Sequence, residues 1–368
     1  MDIPKQPSLS APNAPVVVID MEEERVTTRR SLADSRPTTR VGRWKETIRY
    51  MRGRGAMEIS IIYVAIAVTF VAMDLADVRG GFPFLSPANT SGVLSQSIPI
   101  LAMLAIGAGV LMIAGEFDLS IGASLGFSAI VFIRIAEKQS WVLAFVLAVA
   151  SATLIALING VIVILTRIPS FIATLGMSFF WIGASIYLNG DSPARLENGK
   201  TDTVVNLFAG DQGRFRSQLI WMLVIGVVMW FMLHRHRWGN HLFAVGGNEA
   251  AATAVSIRPK LVKLQAFAVF GALTGIAAVL VAVRTSSMQP GTTGDYTLFA
   301  IAAAVVGGCS LTGGRGTVIG MIVGAALIRT VENALVLGKA PSYWVRLFLG
   351  LVIVGAAVLN RFVEGKSK

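Results

Sequence analysis

The chain has 368 residues, of which 54% are hydrophobic and only 14% charged, with a formal net charge of +11. That is more apolar surface than a soluble core of this length uses, so the composition excludes an ordinary globular domain and points to an integral membrane protein. The positive balance does not point to nucleic acid, because the Lys and Arg flank apolar stretches without interleaved aromatics. Positive-inside topology accounts for them. A single cysteine, Cys309, excludes an internal disulfide framework.

In chain order, residues 1–56 mix Pro, Ser, Thr and both charges, lack the apolar core of a signal peptide, and read as a disordered, basic cytoplasmic tail. Arg49, Arg52 and Arg54 lie where they would meet anionic membrane lipid, with Trp44 and Tyr50 at the interface. A template of about 20 apolar residues per span then predicts ten transmembrane helices within a permease domain at 57–362. They lie near 57–74, 95–114, 119–136, 141–163, 170–188, 218–234, 264–284, 297–311, 316–337 and 342–360. The first and eighth are short enough to be tilted, broken or re-entrant. A short cytoplasmic tail, 363–368, follows. Ten spans put both termini on one side. Residues 1–56 hold eleven Lys or Arg, 235–263 hold five against one acid, and the tail from Arg361 holds three against one, so all three face the cytoplasm. The 189–217 loop, with four basic and four acidic residues, faces out.

The most informative stretch is 235–263, a polar and basic interruption of an otherwise apolar sequence. Gly246 and Gly247 are expected to form a flexible break and Asn248 an N-cap, with Glu249, Ala250 and Ala251 opening a short helix to Ala254 that begins with an acid. Arg258 and Pro259 are expected to stop that helix. His234, His236 and His241 alternate with Arg235 and Arg237, which would repel a metal cation, so the cluster reads as a basic collar at the membrane edge.

A second motif follows the second span: Gly115, Glu116, Asp118, Ser120 and Gly122. Two carboxylates at mid-bilayer would cost roughly 5 to 7 kcal/mol, so the helix must end or break there, with Asp118 or Ser120 capping the next one. The segment is either a loop and cap or a hinge in the conduction path. A third motif holds Gly307, Gly308, Gly313, Gly314 and Arg315. It is not a phosphate loop, since Gly314 and Arg315 stand where Lys and Ser or Thr are needed. It reads as a tight turn between spans, with Arg315 anchoring the cytoplasmic face. Small residues four apart, at Gly122 and Gly126, Gly271 and Gly275, and Gly316, Gly320 and Gly324, are expected to let helices of the same chain approach closely. Arg329 and Glu332, one turn apart, are expected to neutralise each other. No nucleophile, base and orienting acid stand together, so an enzyme is not expected, and no internal repeat is evident.

These residues resemble a known family. GEFDLSIGASLGFSA at 115–129, NGVIVILTRIPSFIATLGM at 159–177, AVGGNEAAATAVSI at 244–257 and AAAVVGGCSLTGGRGTVIGMIVGA at 302–325 are similar, in order, to elements of ABC-importer permeases for ribose and related monosaccharides. The resemblance covers about 57–360. It implies an all-α membrane fold of about ten helices like that of the cobalamin importer, with two permease subunits enclosing one pathway, and it maps the family's ATPase-coupling segment onto Gly246, Gly247, Asn248, Glu249, Ala250 and Ala251. It further implies a bacterial inner-membrane location, a periplasmic sugar-binding protein and a separate cytoplasmic ABC ATPase that binds ATP and Mg, leaving no cofactor on this chain. Glu116 departs from the family pattern, which often has Gly followed by an apolar residue. A branched-chain amino-acid permease of the same superfamily and an ion-coupled secondary transporter stay open as alternatives.

Overall fold

The computed structural model describes residues 56–76, 82–197, 201–212 and 215–341, together with part of 343–358. The N-terminal tail, with Arg49, Arg52 and Arg54, and the 363–368 tail lie outside the described residues.

The described chain is helical apart from two short antiparallel strand pairs. Helix α1 (Ala56–Leu75) is followed by α2 (Pro87–Ile113), α3 (Ile121–Ala136), α4 (Trp141–Thr166) and α5 (Ser170–Asn189). Strand β1 (Ala194–Arg195), α6 (Asp202–Phe208), β2 (Asp211–Gln212) and β3 (Phe215–Arg216) lead into α7 (Ser217–His234). Then come α8 (Arg237–Gly247), α9 (Glu249–Ala254), α10 (Pro259–Thr285), β4 (Ser287–Met288), α11 (Asp295–Val306) and α12 (Val318–Leu337). The described residues between 343 and 358 are all helical. Strand β1 pairs with β4, and β2 with β3.

Among the described residues six helices, α2, α4, α5, α7, α10 and α12, are long and apolar enough to cross a membrane, and α1, α3 and α11 contain shorter apolar helices. Helices α2 and α10 form the centre: Leu101, Leu104, Ile106 and Leu111 of α2 and Phe267, Phe270 and Leu280 of α10 are fully buried. By contrast α4, α5 and α7 turn Val146, Leu154, Phe179, Phe180, Val227 and Phe231 outward. Such a contiguous apolar exterior suits hydrocarbon rather than water.

Several boundaries differ from the sequence expectation. Helix α2 starts eight residues before the expected 95 because Ser86 caps it and Pro87 sits in its first turn, where a missing N–H is harmless. A π-helical turn at Thr90–Leu94 joins the capped start to the body. The eighth span, expected at 297–311, ends at Val306. Pro259, expected to stop a helix, instead opens α10 at its first position. Gly246 and Gly247 are not a flexible break but the last residues of α8, and the 235–263 loop is largely helical.

An internal repeat that the sequence does not display is present in the packing. The triplet α2, α3, α4 and the triplet α10, α11, α12 each run long helix, broken connection, short helix, long helix. Helix α4 lies along α10 as α12 lies along α2, and α3 packs on α10 as α11 packs on α2; α2 also meets α10, and α3 meets α11. That exchange of partners is what a two-fold relation between the triplets produces. The end of α2 lies beside the start of α10, so the triplets run in opposite senses, the inverted arrangement found in many transporters.

The short helices, 16 and 12 residues long, reach about 24 and 18 Å at 1.5 Å per residue, less than a hydrocarbon core of about 30 Å. Their first turns meet. The Gly122 N–H donates to Thr297 Oγ1 at 2.9 Å and the Thr293 hydroxyl donates to the Gly122 carbonyl at 2.6 Å. A Cβ on Gly122 would overlap the Thr293 carbonyl. Gly271 and Gly275 likewise let α10 approach α4, where an added Cβ would lie 2.6 Å from the Cα of Thr153 and of Val149 respectively. Gly320 and Gly324 bring α12 against the carbonyls of Gly307 and Ala303.

Candidate functional site

Three glycine-bearing segments, far apart in sequence, meet beside the end of α2. That helix terminates with Gly115 in the left-handed region (φ +82), its N–H donating to Met112 O at 2.9 Å while the Glu116 N–H donates to Leu111 O at 2.9 Å. This pair of bonds is a Schellman closure, which satisfies the last carbonyls of the helix. From the other side Gly313 (φ +90) and Gly314 (φ +71) turn the α11–α12 connection inward, and the Gly314 N–H donates to the Ile113 carbonyl at 2.9 Å. The end of α8 closes the junction. A Cβ on Gly246 would overlap the Ile113 carbonyl, one on Gly313 would lie 2.6 Å from Gly246 O and 3.2 Å from Gly115 Cα, and one on Gly314 would lie 2.7 Å from Gly247 Cα. Main chain therefore rests on main chain, at positions that exclude side chains.

Beside this junction, charge ties the segment after α2 to α9 and α10. The Lys263 ammonium, one turn into α10, donates to Glu249 Oε2 at 2.8 Å and lies 2.9 Å from Glu116 Oε1. The Glu116 and Lys263 side chains are 11% and 18% exposed, whereas that of Glu249 is 53% exposed, so the inner pair is shielded and the outer one faces solvent. Asn248 caps α9 as expected, its Oδ1 accepting from the Ala251 N–H at 3.0 Å. Ala250 and Ala251 are exposed, as is Arg315. A pocket of about 580 Å³ opens next to this triad, lined among others by Glu116, Arg167, Ser170, Glu249, Lys260 and Lys263.

Beyond Glu116 the chain runs into the protein as a non-helical connection, and α5 supplies partners for its backbone. The Phe117 N–H donates to Ser170 Oγ at 3.0 Å and the Leu119 N–H to Thr174 Oγ1 at 2.9 Å. Backbone without internal partners persists at membrane depth only when protein groups satisfy it this way. Asp118, 2% exposed, does not cap α3. Its Oδ1 accepts from both the N–H and the hydroxyl of Ser120, each at 2.6 Å, and its Oδ2 accepts from Asn159 Nδ2 at 2.9 Å. Ser120 occupies the N-cap position of α3 without a side-chain cap, its oxygen engaged by Asn159 Nδ2 at 2.8 Å. Asp118 and Ser120 thus belong to a network with Asn159 of α4, Gly122 to the seam with α11 and Gly307 to the packing of α11 on α12, while Gly308 (φ +87) closes the end of α11 with its N–H donating to Val305 O at 2.9 Å, so none of them belongs to the junction.

Lys263, Asn159, Ser170, Thr174, Thr293 and Thr297 were not picked out by the motif reading. Asn159 carried a signal, since it is a lone amide inside a 26-residue apolar helix. Lys263 carried none beyond its place in a basic segment. Arg329 and Glu332 pair at 2.6 Å, and the Arg329 guanidinium also lies over the Tyr296 and Phe299 rings. His236 receives the Trp238 N–H on Nδ1, and among the described residues no group of three His, Cys, Asp or Glu is placed to hold a metal.

Six long apolar helices among the described residues, packed around a central α2 and α10, define a multi-pass membrane protein. Residues 89–357 match the family described as branched-chain amino acid transport system / permease component, and the chain belongs to that family. It is 32% identical over 282 residues to the ribose import permease protein of Bacillus subtilis strain 168, covering 76% of this chain and 86% of that relative. The L-arabinose ABC transporter permease protein of Azospirillum brasilense is 33% identical over 288 residues, 77% of this chain and 83% of its own length. The D-allose transport system permease protein of Escherichia coli K12 is 28% identical over 283 residues, 76% of this chain and 86% of its own length. All three names describe permeases rather than enzymes. No solved structure matches the chain.

Proposed function

We propose that this chain is the membrane-spanning permease subunit of a bacterial, ATP-driven importer for a monosaccharide of the ribose type. It forms the translocation pathway with a second permease subunit, receives sugar from a periplasmic binding protein, and is driven by a cytoplasmic ABC ATPase that holds ATP and Mg. Ten spans in a cobalamin-importer-like arrangement, with both termini and the 235–263 segment cytoplasmic, fit the nine apolar helices among the described residues and the helical positions after 343. The observation that carries the reading is the junction. A six-residue surface helix, α9, is joined through Gly246 and Lys263 to the point where α2 ends and the interrupted segment begins. A soluble motor gripping Gly246 to Ala251 would act directly on the end of α2 and, through Lys263, on the start of α10, which is rigid-body coupling between distant sites.

Reconstitution with an ABC ATPase and a sugar-binding protein from the same organism tests this. The expected result is ATP-dependent, concentrative uptake of labelled ribose, arabinose or allose. Uptake of leucine in their place establishes the amino-acid reading, and concentrative uptake by the isolated chain under an ion gradient overturns the subunit reading altogether.

A further inference from the structure

One ammonium at Lys263 holds two carboxylates that belong to different elements, Glu116 on the segment after α2 and Glu249 at the start of α9. The two halves of this triad are unequal. The inner pair is shielded, so breaking it strands a charge in a poorly solvated place. The outer pair ends on a carboxylate that is 53% exposed, where salt screens the attraction. Helix α9 has little else to hold it: it is six residues long, and Ala252 is its one buried residue. Arg167 and Lys260 line the same pocket and, among the described residues, neither forms an ion pair, so a released Glu249 has other cations close by.

We infer that Lys263 is a positioning residue that clamps α9 onto the segment around Glu116 in the resting permease, and that its outer pair with Glu249 is the latch a motor must open. The inference rests on the proposed function, because it assigns a resting state to the coupling helix named there. Opening the outer pair frees α9 to move while the inner pair keeps Lys263 seated on Glu116, so the clamp resets when α9 returns. Ionic strength and the charge at 249 therefore set how readily the transporter fires without sugar.

Two readouts test it. In the full-length permease in lipid nanodiscs, spin labels at Leu165 and Thr253, both exposed, report by pulsed EPR how α9 sits against the end of α4. Wild type is expected to give a narrow distance distribution that broadens as salt is raised. Glu249→Gln is expected to be broad at low and high salt alike, Lys263→Met likewise, and Lys263→Arg to restore the wild-type behaviour. In the reconstituted complex, Glu249→Gln is expected to raise sugar-independent ATP hydrolysis about two- to fivefold, the factor corresponding to an exposed ion pair. Position 249 is on the surface, so that variant folds even where Lys263→Met does not. A narrow, salt-independent distribution in Glu249→Gln overturns the clamp. A wild-type complex that neither hydrolyses ATP nor imports sugar overturns the proposed function, and leaves the distance measurement standing on its own.

Discussion

At the scale of single residues, adjacent glycines carry very different loads. Gly246 faces the Ile113 carbonyl with no room for a Cβ, while Gly247 has nothing within reach of one and an ordinary helical φ. Gly246→Ala is therefore expected to force α8 off the end of α2 and abolish monodisperse, folded permease on size exclusion, whereas Gly247→Ala stays within about 0.5 kcal/mol of wild type in thermal unfolding. Composition marked both glycines as important, but only the third dimension separates them. Local sequence tells whether a glycine is needed for a turn, as at Gly115 with its positive φ. It does not tell which distant carbonyl will arrive opposite it.

At the scale of elements, the 235–263 segment shows what local rules capture. The Asn248 cap and the Glu249–Ala254 helix were readable because capping needs only the three residues that follow. Helix α8 was also legible in principle, since Trp238, Leu242 and Val245 fall at helical spacing and all three are buried. Surrounding basic residues hid that stripe from a hydropathy reading. Pro259 was misassigned because proline is compatible with either a helix stop or a helix start, and the apolar run after it decides the case. Asn248→Ala is expected to destabilise α9 by about 1 kcal/mol. Hydrogen–deuterium exchange should then speed up across 249–254 while α10 keeps its protection.

At the scale of the whole molecule, membrane character and the order of spans follow from hydropathy alone, whereas the two-fold relation between triplets does not. Its signature is which helix packs on which, and IGASLGFSAIVFIRIA of α3 shares with DYTLFAIAAAVV of α11 only a taste for small side chains. Equivalent packing needs matching volume and backbone breaks, not matching letters. The inverted relation treats the two faces alike, so sidedness rests on the placement of Lys and Arg. Cysteines placed at Ser192 and Thr253, both exposed, are expected to label from opposite faces of the membrane, Ser192 from the periplasm and Thr253 from the cytoplasm. Cys309, fully buried, stays silent, so the native chain serves as its own blank. Labelling of both from one face would remove the topology assignment.

Where α2, α8 and the α11–α12 turn meet, the contact has no rotamers. Side chains ordinarily act as springs between helices, hopping between staggered wells and absorbing small displacements before the backbone feels them. Gly246, Gly313 and Gly314 remove that cushion. A push delivered to α8 has no soft degree of freedom in which to dissipate before it reaches Ile113 O. The junction behaves as a bearing with no play, and the end of α2 must either follow α8 or separate from it.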